Sequence, residues 1–236
     1  MSVSSYYNPS VAEADAPTRR QFIRKTYLHL VAAVAGFALI SWLFLISGVS
    51  TIFTKLMFAT SWGSFVVILA FIGVSYMANS WARNSQSLVG QYLGLAVYVV
   101  LEAFIFMPLL LLAQILVGGQ IIALAGFLTI FMVAAFTFLT FLNRWDFSFL
   151  GGFLAIFGFI ALGISLAGIL FGFSLGLWFS GAMILFASGA ILYDTSNIML
   201  HYNTRQYVAA SLSLFASVAL LFYYILSFLL RFTSRD

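Results

Sequence analysis

The chain contains the stretch Ser188-Gly-Ala-Ile-Leu-Tyr-Asp-Thr-Ser-Asn197 near the end of an apolar run from Gly176 to about Leu200. Asp194 is one of six acidic residues in the whole protein and one of two that fall inside a hydrophobic segment. An ionised carboxylate at the bilayer centre costs about 2.5–3.5 kcal/mol, so such a residue normally faces a bundle interior or a watery cavity. Asn197 follows one helical turn later and shares the face of Asp194. The stretch therefore predicts a polar site inside a membrane helix.

The composition agrees with a membrane location for the whole chain. Hydrophobic residues make up 64% of the sequence and charged residues 7%, against about 25% charged in ordinary globular domains. The absence of cysteine excludes disulfides, thiolate metal sites and cysteine nucleophiles. The ten basic residues are scattered and stand mostly at segment ends, so no nucleic-acid partner is expected. The chain is predicted to be an integral membrane protein with lipid as its surroundings.

Seven apolar runs of about 20–25 residues are each long enough to cross roughly 30 Å of hydrocarbon as a helix. They are Tyr27–Ser47, Trp62–Ala82, Leu88–Leu112, Gln120–Leu142, Phe147–Phe171, Gly176–Leu200 and Tyr207–Arg231. We therefore expect an all-α protein with seven transmembrane helices in one domain, residues 25–236. Residues 1–24 are interpreted as a disordered cytoplasmic tail. The longest loop is expected at about residues 48–61, which leaves no room for a soluble catalytic domain.

The distribution of basic residues predicts the orientation of these helices. Seven basic residues fall on the N-terminal side of the membrane: Arg19, Arg20, Arg24, Lys25, Arg83, Arg144 and Arg205. Three fall on the other side: Lys55, Arg231 and Arg235. The N-terminus is therefore expected in the cytoplasm and the C-terminus in the periplasm.

Glu102 is the second acid inside a span. Tyr98 and Gly94 precede it by one and two turns, so one helical stripe carries all three. Pro108 cannot donate a backbone hydrogen bond and is expected to kink the helix or free a carbonyl near residue 104. A carboxyl beside a local break often lines a pathway in transporters. The alternative is a protonated, hydrogen-bonded glutamate with a structural role only.

Asp194 also has two interpretations, a functional site or a structural remnant. Serines at 211, 213 and 217 on the last span lie opposite it, and such serines often serve only to join helices. The glycines, among them Gly90 and Gly94, are interpreted as packing residues.

Enzyme classes that work inside membranes do not fit the sequence. A retinal protein needs an intrahelical lysine, and Lys25 and Lys55 stand at helix edges. An intramembrane aspartyl protease needs a second aspartate between 195 and 235, where none exists. A rhomboid-type pair needs a histidine within a span, and His29 and His201 lie at span edges. No enzymatic activity and no bound cofactor are expected.

Four stretches resemble the Bax inhibitor-1 family over about residues 19–236. They are Phe22-Ile-Arg-Lys-Thr-Tyr27, Tyr98-Val-Val-Leu-Glu102, Ser148-Phe-Leu-Gly-Gly152 and, most strongly, Ser188 to Ile198 followed by Tyr207 and Ser213-Leu-Phe215. The resemblance implies seven helices with the last one enclosed by the other six. The Phe-Leu-Gly-Gly run and the ending Thr233-Ser-Arg-Asp236 are most similar to the proteobacterial YccA-like branch, which implies a bacterial inner membrane.

The resemblance implies two different functions. Many family members are pH-sensitive calcium leak channels in which an aspartate pair, one on helix six and one on helix seven, responds to protonation. Asp194 matches the first aspartate, but the second would fall at Ser217, where this chain has no acid. The YccA-like branch is instead associated with the membrane-bound ATP-dependent protease FtsH, as its substrate and modulator.

Two hypotheses follow, a protease or translocase partner and an ion path. The first treats the protein as a regulator in membrane-protein quality control, with residues 1–24 as the segment that the protease grips. The second is a leak path, with calcium as the permeant ion near Asp194. Asp194, Glu102, Ser217, Asn197 and Tyr98 are its candidate ion-binding or gating residues.

Overall fold

The computed structural model describes residues 10–60, 62–83, 87–143 and 145–233. Within these residues the chain is all-helical apart from one isolated β-bridge, which pairs Ser10 with Asn203. The eight helices are α1 (Ala16–Ile46), α2 (Val49–Phe58), α3 (Gly63–Ala82), α4 (Leu88–Leu116), α5 (Gly119–Asn143), α6 (Leu150–Phe171), α7 (Gly176–Leu200) and α8 (Tyr207–Thr233). All but α2 are long and apolar enough to span a membrane. The prediction of an all-α membrane protein with seven transmembrane helices is confirmed.

The last span, α8, lies at the centre of the bundle. It packs against α1, α3, α4, α5 and α7, and half of its most apolar window is buried, more than in any other described span. The sixth helix of the ring, α6, packs on α7 and α3. Five spans therefore form most of the wall around α8, and α6 reaches α8 through the contact between Ser165 and Tyr224.

Residues 10–24 are not a disordered tail, and this part of the prediction was wrong. Helix α1 begins at Ala16, and Val11 before it is fully buried. The Val11 amide donates to the Tyr202 carbonyl oxygen over 2.9 Å. The Arg19 guanidinium donates to the carbonyls of Val11, Ala12 and Ala14, which holds the segment over the first turn of α1. Residues 1–9 of the predicted tail lie outside the described residues.

The connection after α1 is also more ordered than a loop. Gly48, at φ 76°, turns the chain and begins α2, because glycine adopts a positive φ without steric cost. Helix α2 has ten residues, about 15 Å at 1.5 Å per residue, so it is too short to span a bilayer. It packs against α1, α3 and α4.

Three of the predicted span boundaries differ from the structure by three residues or more, and one of them is the start of α6, at Leu150 and not at Phe147. Helix α1 has 31 residues, about 46 Å, so it exceeds the roughly 30 Å of hydrocarbon and extends beyond it. Helix α4 continues through Pro108 to Leu116, so the proline does not end this span.

One end of the bundle carries most of the described basic residues. We call it the basic face and define it by residues 10–25, Arg83, residues 145–149 and residues 201–206, which hold six of the eight described Lys and Arg residues. Val11 contacts Tyr202 there, and the Tyr92 hydroxyl near the start of α4 lies 3.4 Å from that of Tyr207 at the start of α8. The N-terminal segment therefore lies at the same end of the bundle as the α3–α4, α5–α6 and α7–α8 connections. Seven consecutive crossings of a membrane require this arrangement.

Candidate functional site

Asp194 is held by two serines of the central helix. Its side chain is 5% exposed, and its two carboxylate oxygens accept from different hydroxyls. Ser213 Oγ donates to Oδ1 over 2.7 Å, and Ser217 Oγ donates to Oδ2 over 2.5 Å. The two serines are four residues apart, so they share one face of α8. The expected position of Ser217 opposite Asp194 agrees with this geometry.

The arrangement satisfies the carboxylate with protein groups alone. Each serine has a single hydroxyl proton, and both protons are used on Asp194. Calcium prefers six to eight oxygen ligands, whereas this pocket provides one carboxylate and two donating hydroxyls. A calcium ion at Asp194 would need further oxygen ligands beyond these three side chains. The described residues also contain no cluster of three or more His, Cys, Asp or Glu side chains.

Asn197 is not brought into hydrogen-bond contact with Asp194, although the two share a helical face. Its backbone carbonyl accepts from the amides of His201 and Tyr202, which ends α7. The Asp194 carboxylate accepts instead from Ser213 and Ser217 of α8. Asn197 therefore helps to end helix α7 and is not one of the hydrogen-bond partners of the Asp194 carboxylate.

Glu102 lies at a different place, in the wall of a cavity of about 570 Å³. We call this the central cavity; it is lined by residues of α3, α4, α6, α7 and α8, among them Tyr98, Glu102 and Ser217. The Glu102 side chain is 6% exposed and interacts with the Tyr98 hydroxyl one turn earlier. Three predicted site residues therefore meet at one cavity, and Asp194 lies behind Ser217.

Polar residues farther along the cavity were not predicted as site residues. Ser180 and Ser227 lie 3.5 Å apart, and Arg231 Nε donates to Ser227 Oγ over 3.5 Å. All three line the central cavity together with Tyr224. The sequence of α8 does contain a pattern that could have identified these residues. Polar residues recur there every three, four or seven positions, which places them on one stripe of the helix: 213, 217, 224, 227 and 231.

Asp146 and His201 form a separate cluster at the basic face. Asp146 Oδ1 accepts from the Ser148 amide over 2.9 Å and lies 3.3 Å from His201 Nε2. The Ser148 amide is the largest cause that lowers the pKa of Asp146, and the contact with His201 lowers it further. Both side chains are about half exposed. The cluster joins the α5–α6 connection to the end of α7, a structural role that agrees with the interfacial position predicted for His201.

Comparison with known proteins places this arrangement in a family. The model of the family described as inhibitor of apoptosis-promoting Bax1 matches residues 19–234. The chain belongs to the Bax inhibitor-1 family. The match includes Tyr98, Glu102, Asp194 and Ser217, and it confirms the resemblance seen in the sequence. No solved structure matches the chain significantly.

Individual relatives come from bacteria and a fungus. The uncharacterised protein PA2604 of Pseudomonas aeruginosa is 30% identical over 164 residues, which covers 67% of this chain and 70% of that protein. Bax inhibitor 1 of Schizosaccharomyces pombe is 28% identical over 236 residues, covering 96% and 82%. The modulator of FtsH protease YccA of Escherichia coli is 38% identical over 122 residues, covering 50% and 53%.

Proposed function

We propose that this Bax inhibitor-1-family protein is a modulator, and also a substrate, of a membrane-bound ATP-dependent protease of the FtsH type. It would act in membrane-protein quality control in a bacterial inner membrane. The similarity to YccA, which is named for modulation of that protease, supports the proposed partner. This role requires neither an ion path nor a soluble catalytic domain.

The structural observation that supports a regulator is the pairing of Asp194 with hydroxyls. Ser213 and Ser217 satisfy both carboxylate oxygens, and no described acid faces Asp194 from α8. A pair of carboxylates titrates in coupled steps, whereas this site has one carboxylate to titrate. The aspartate pair that the family resemblance associates with pH gating is therefore incomplete in this chain.

The docked N-terminal segment suggests how degradation is controlled. Val11 is buried against the α7–α8 connection, so a protease cannot grip the chain from Val11 onward while docking holds. Release of Val11 would lengthen the accessible segment toward Arg19. Val11→Asp is expected to release it, because a buried unpaired charge is strongly destabilising.

The test compares Val11→Asp with Ala12→Asp, which adds the same charge at an exposed neighbouring position. Pulse–chase turnover is measured in cells with and without the protease, together with co-purification and the turnover of a second membrane substrate. We expect the wild-type chain to co-purify with the protease and to slow degradation of that substrate. Val11→Asp should be degraded faster only where the protease is present, and Ala12→Asp should match wild type. Absence of co-purification and of any effect on turnover would contradict the proposal.

The central cavity supports a second candidate function, a pH-sensitive calcium leak that uses Asp194 and Glu102. Glu102, Tyr98 and Ser217 line one cavity, and Ser217 contacts Asp194. An intramembrane carboxylate beside a cavity is typical of ion pathways.

Liposome calcium flux from about pH 5 to 8 separates the two functions, because this range covers the titration of a coupled carboxylate pair. Ser217→Asp places a second carboxylate against Asp194 and is expected to create or strengthen pH-dependent flux, since two close carboxylates cannot both ionise freely. The wild-type protein should show little flux. Steep pH-dependent flux in the wild type, lost in Asp194→Asn, would contradict the regulator function and leave Glu102 as the second gating group.

A further inference from the structure

A second space lies beside the central cavity, along a side of α3 on which Tyr76 is 80% exposed. Besides the central cavity, a groove of about 570 Å³ follows α3 and is lined by Ser75, Tyr76, Asn79, Ser80 and Arg83, with Tyr98 from α4. We call it the α3 groove. Tyr98 is the residue that lines both spaces.

The two cavities reach opposite faces of the bundle. The α3 groove ends at Arg83, which follows the last residue of α3 and belongs to the basic face. The central cavity extends to Leu175, directly before α7, and to Arg231 near the end of α8. Leu175 and Arg231 stand at the opposite ends of their helices from the α7–α8 connection, so this end of the central cavity lies away from the basic face.

Polar side chains line both cavities, on either side of one ring. On the groove side they include Asn79, Ser80 and Arg83; on the cavity side they include Glu102 and Ser217. Tyr98 lies about 15 Å from the start of α4 at 1.5 Å per residue, and Glu102 lies about 6 Å deeper. Polar side chains therefore lie on both sides of the Tyr98 ring, although the lining of the central cavity is otherwise mostly apolar.

The Tyr98 ring is fixed by its neighbours. The side chain is 8% exposed, and its ring lies 6.2 Å from that of Phe215 on α8 and 6.5 Å from that of Phe71 on α3, measured between centroids. Its hydroxyl interacts with Glu102 on the cavity side. Rings from three helices thus meet where the two cavities approach each other, and close-packed side chains of this kind leave few voids wider than a water molecule.

We propose that Tyr98 is the barrier that separates a compartment accessible from the basic face from a compartment accessible from the opposite face. Small hydrophilic molecules and ions enter either cavity as far as this ring and do not pass it. Removal of the ring joins the two cavities into one continuous space. The inference deepens the second candidate function, but it concerns access to two compartments and does not depend on calcium or on the protease.

Cysteine accessibility tests this barrier directly, because the chain contains no cysteine. Ser80→Cys places a thiol in the α3 groove, and Ala216→Cys places one in the central cavity beside Ser217. A membrane-impermeant cationic methanethiosulfonate reagent is added to right-side-out and to inverted vesicles, and the modified fraction is measured by mass spectrometry. With Tyr98 present, the thiol at position 80 should react from the basic face only and the thiol at position 216 from the opposite face only.

Tyr98→Ala is then combined with each cysteine. We expect the rate of modification from the far side to rise by at least an order of magnitude at both positions. Tyr98→Phe keeps the ring and should leave both rates unchanged. The matched control is Tyr223→Ala, which removes another tyrosine ring from the wall of the central cavity but not from the α3 groove. This control should also leave the sidedness unchanged.

Three results would overturn the barrier. They are two-sided reaction with Tyr98 intact, one-sided reaction in a folded Tyr98→Ala protein, and an equal effect of Tyr223→Ala. Gel filtration in detergent establishes folding, and Tyr98→Leu replaces the alanine variant if that variant aggregates, because leucine keeps apolar packing without the ring. Calcium flux on the same vesicles separates the two ideas. If the sidedness of modification depends on Tyr98 and the wild type shows no calcium flux, the barrier is supported. The same result contradicts the calcium leak, so the two ideas fail separately.

Discussion

The two acids inside the membrane are accommodated by different means. Asp194 is bound by two hydroxyls donated from α8, whereas Glu102 lies at a cavity wall and interacts with Tyr98 of its own helix. The sequence identified both acids, because each interrupts an apolar run. The family pattern identified Ser217 as the position opposite Asp194, and the structure shows the hydrogen bond between the two side chains. Asn197 shows the limit of helical spacing, since residues on one face need not reach the same partner.

At Glu102 we predict that shape and hydrogen bonding matter more than charge. Glu102→Gln keeps both and should unfold nearly as the wild type does. Glu102→Ala leaves polar partners unsatisfied and should lower the free energy of unfolding by about 1–3 kcal/mol. Thermal unfolding in detergent measures both variants. A glutamine variant as unstable as the alanine variant would show that the negative charge itself is required.

Among the elements, a close helix contact at a glycine joins α3 and α4 at Gly94. A methyl group added to Gly94 would lie 2.4 Å from the Ala78 carbonyl oxygen and 2.8 Å from the Ala82 nitrogen. Both are backbone atoms, so α3 itself would have to move, and overpacking of this kind costs about 1–3 kcal/mol or more. Gly94→Ala should therefore be clearly destabilised in a detergent unfolding assay. The control is Gly126→Ala on α5, where the added methyl group meets nothing within 4 Å, and this variant should equal or slightly exceed wild-type stability. Equal losses in both variants would contradict the contact argument, because alanine has the higher helix propensity and Gly126 has no close neighbour.

The long helices were predictable because twenty or more apolar residues leave few alternatives in a membrane. The elements that were missed depend on tertiary contacts. Helix α2 is too short to give a span signal and is stabilised by packing against three longer helices. Docking of residues 10–15 depends on Val11 meeting Tyr202, which no local pattern encodes. One local signal did exist, since Ser10 and Glu13 have the spacing of a capping box and the Ser10 amide donates to the Glu13 carboxylate over 3.0 Å.

For the whole molecule, the structure groups the charges on which the predicted orientation depends. The basic face holds the docked N-terminal segment, Arg83 and Arg205, while Lys55 and Arg231 stand at the other end of the bundle. Lys25 of this face lies 5.1 Å from the centre of the Tyr207 ring, so part of the positive charge is held close to the α7–α8 connection. Arg144 and Arg235, one from each side of the predicted asymmetry, lie outside the described residues.

Cytoplasmic loops carry the excess of Lys and Arg in membrane proteins, so the basic face is expected in the cytoplasm. A reporter fused before residue 1 should then behave as cytoplasmic and one fused after Asp236 as periplasmic. A third fusion, truncated after Thr204 in the α7–α8 connection, should be cytoplasmic, because the chain has crossed six times at that point. Alkaline phosphatase and fluorescent-protein reporters, active on opposite sides, provide the measurement. Both full-length fusions on one side would contradict the seven crossings, whereas complete inversion of the three fusions would keep the fold and reject only the charge argument.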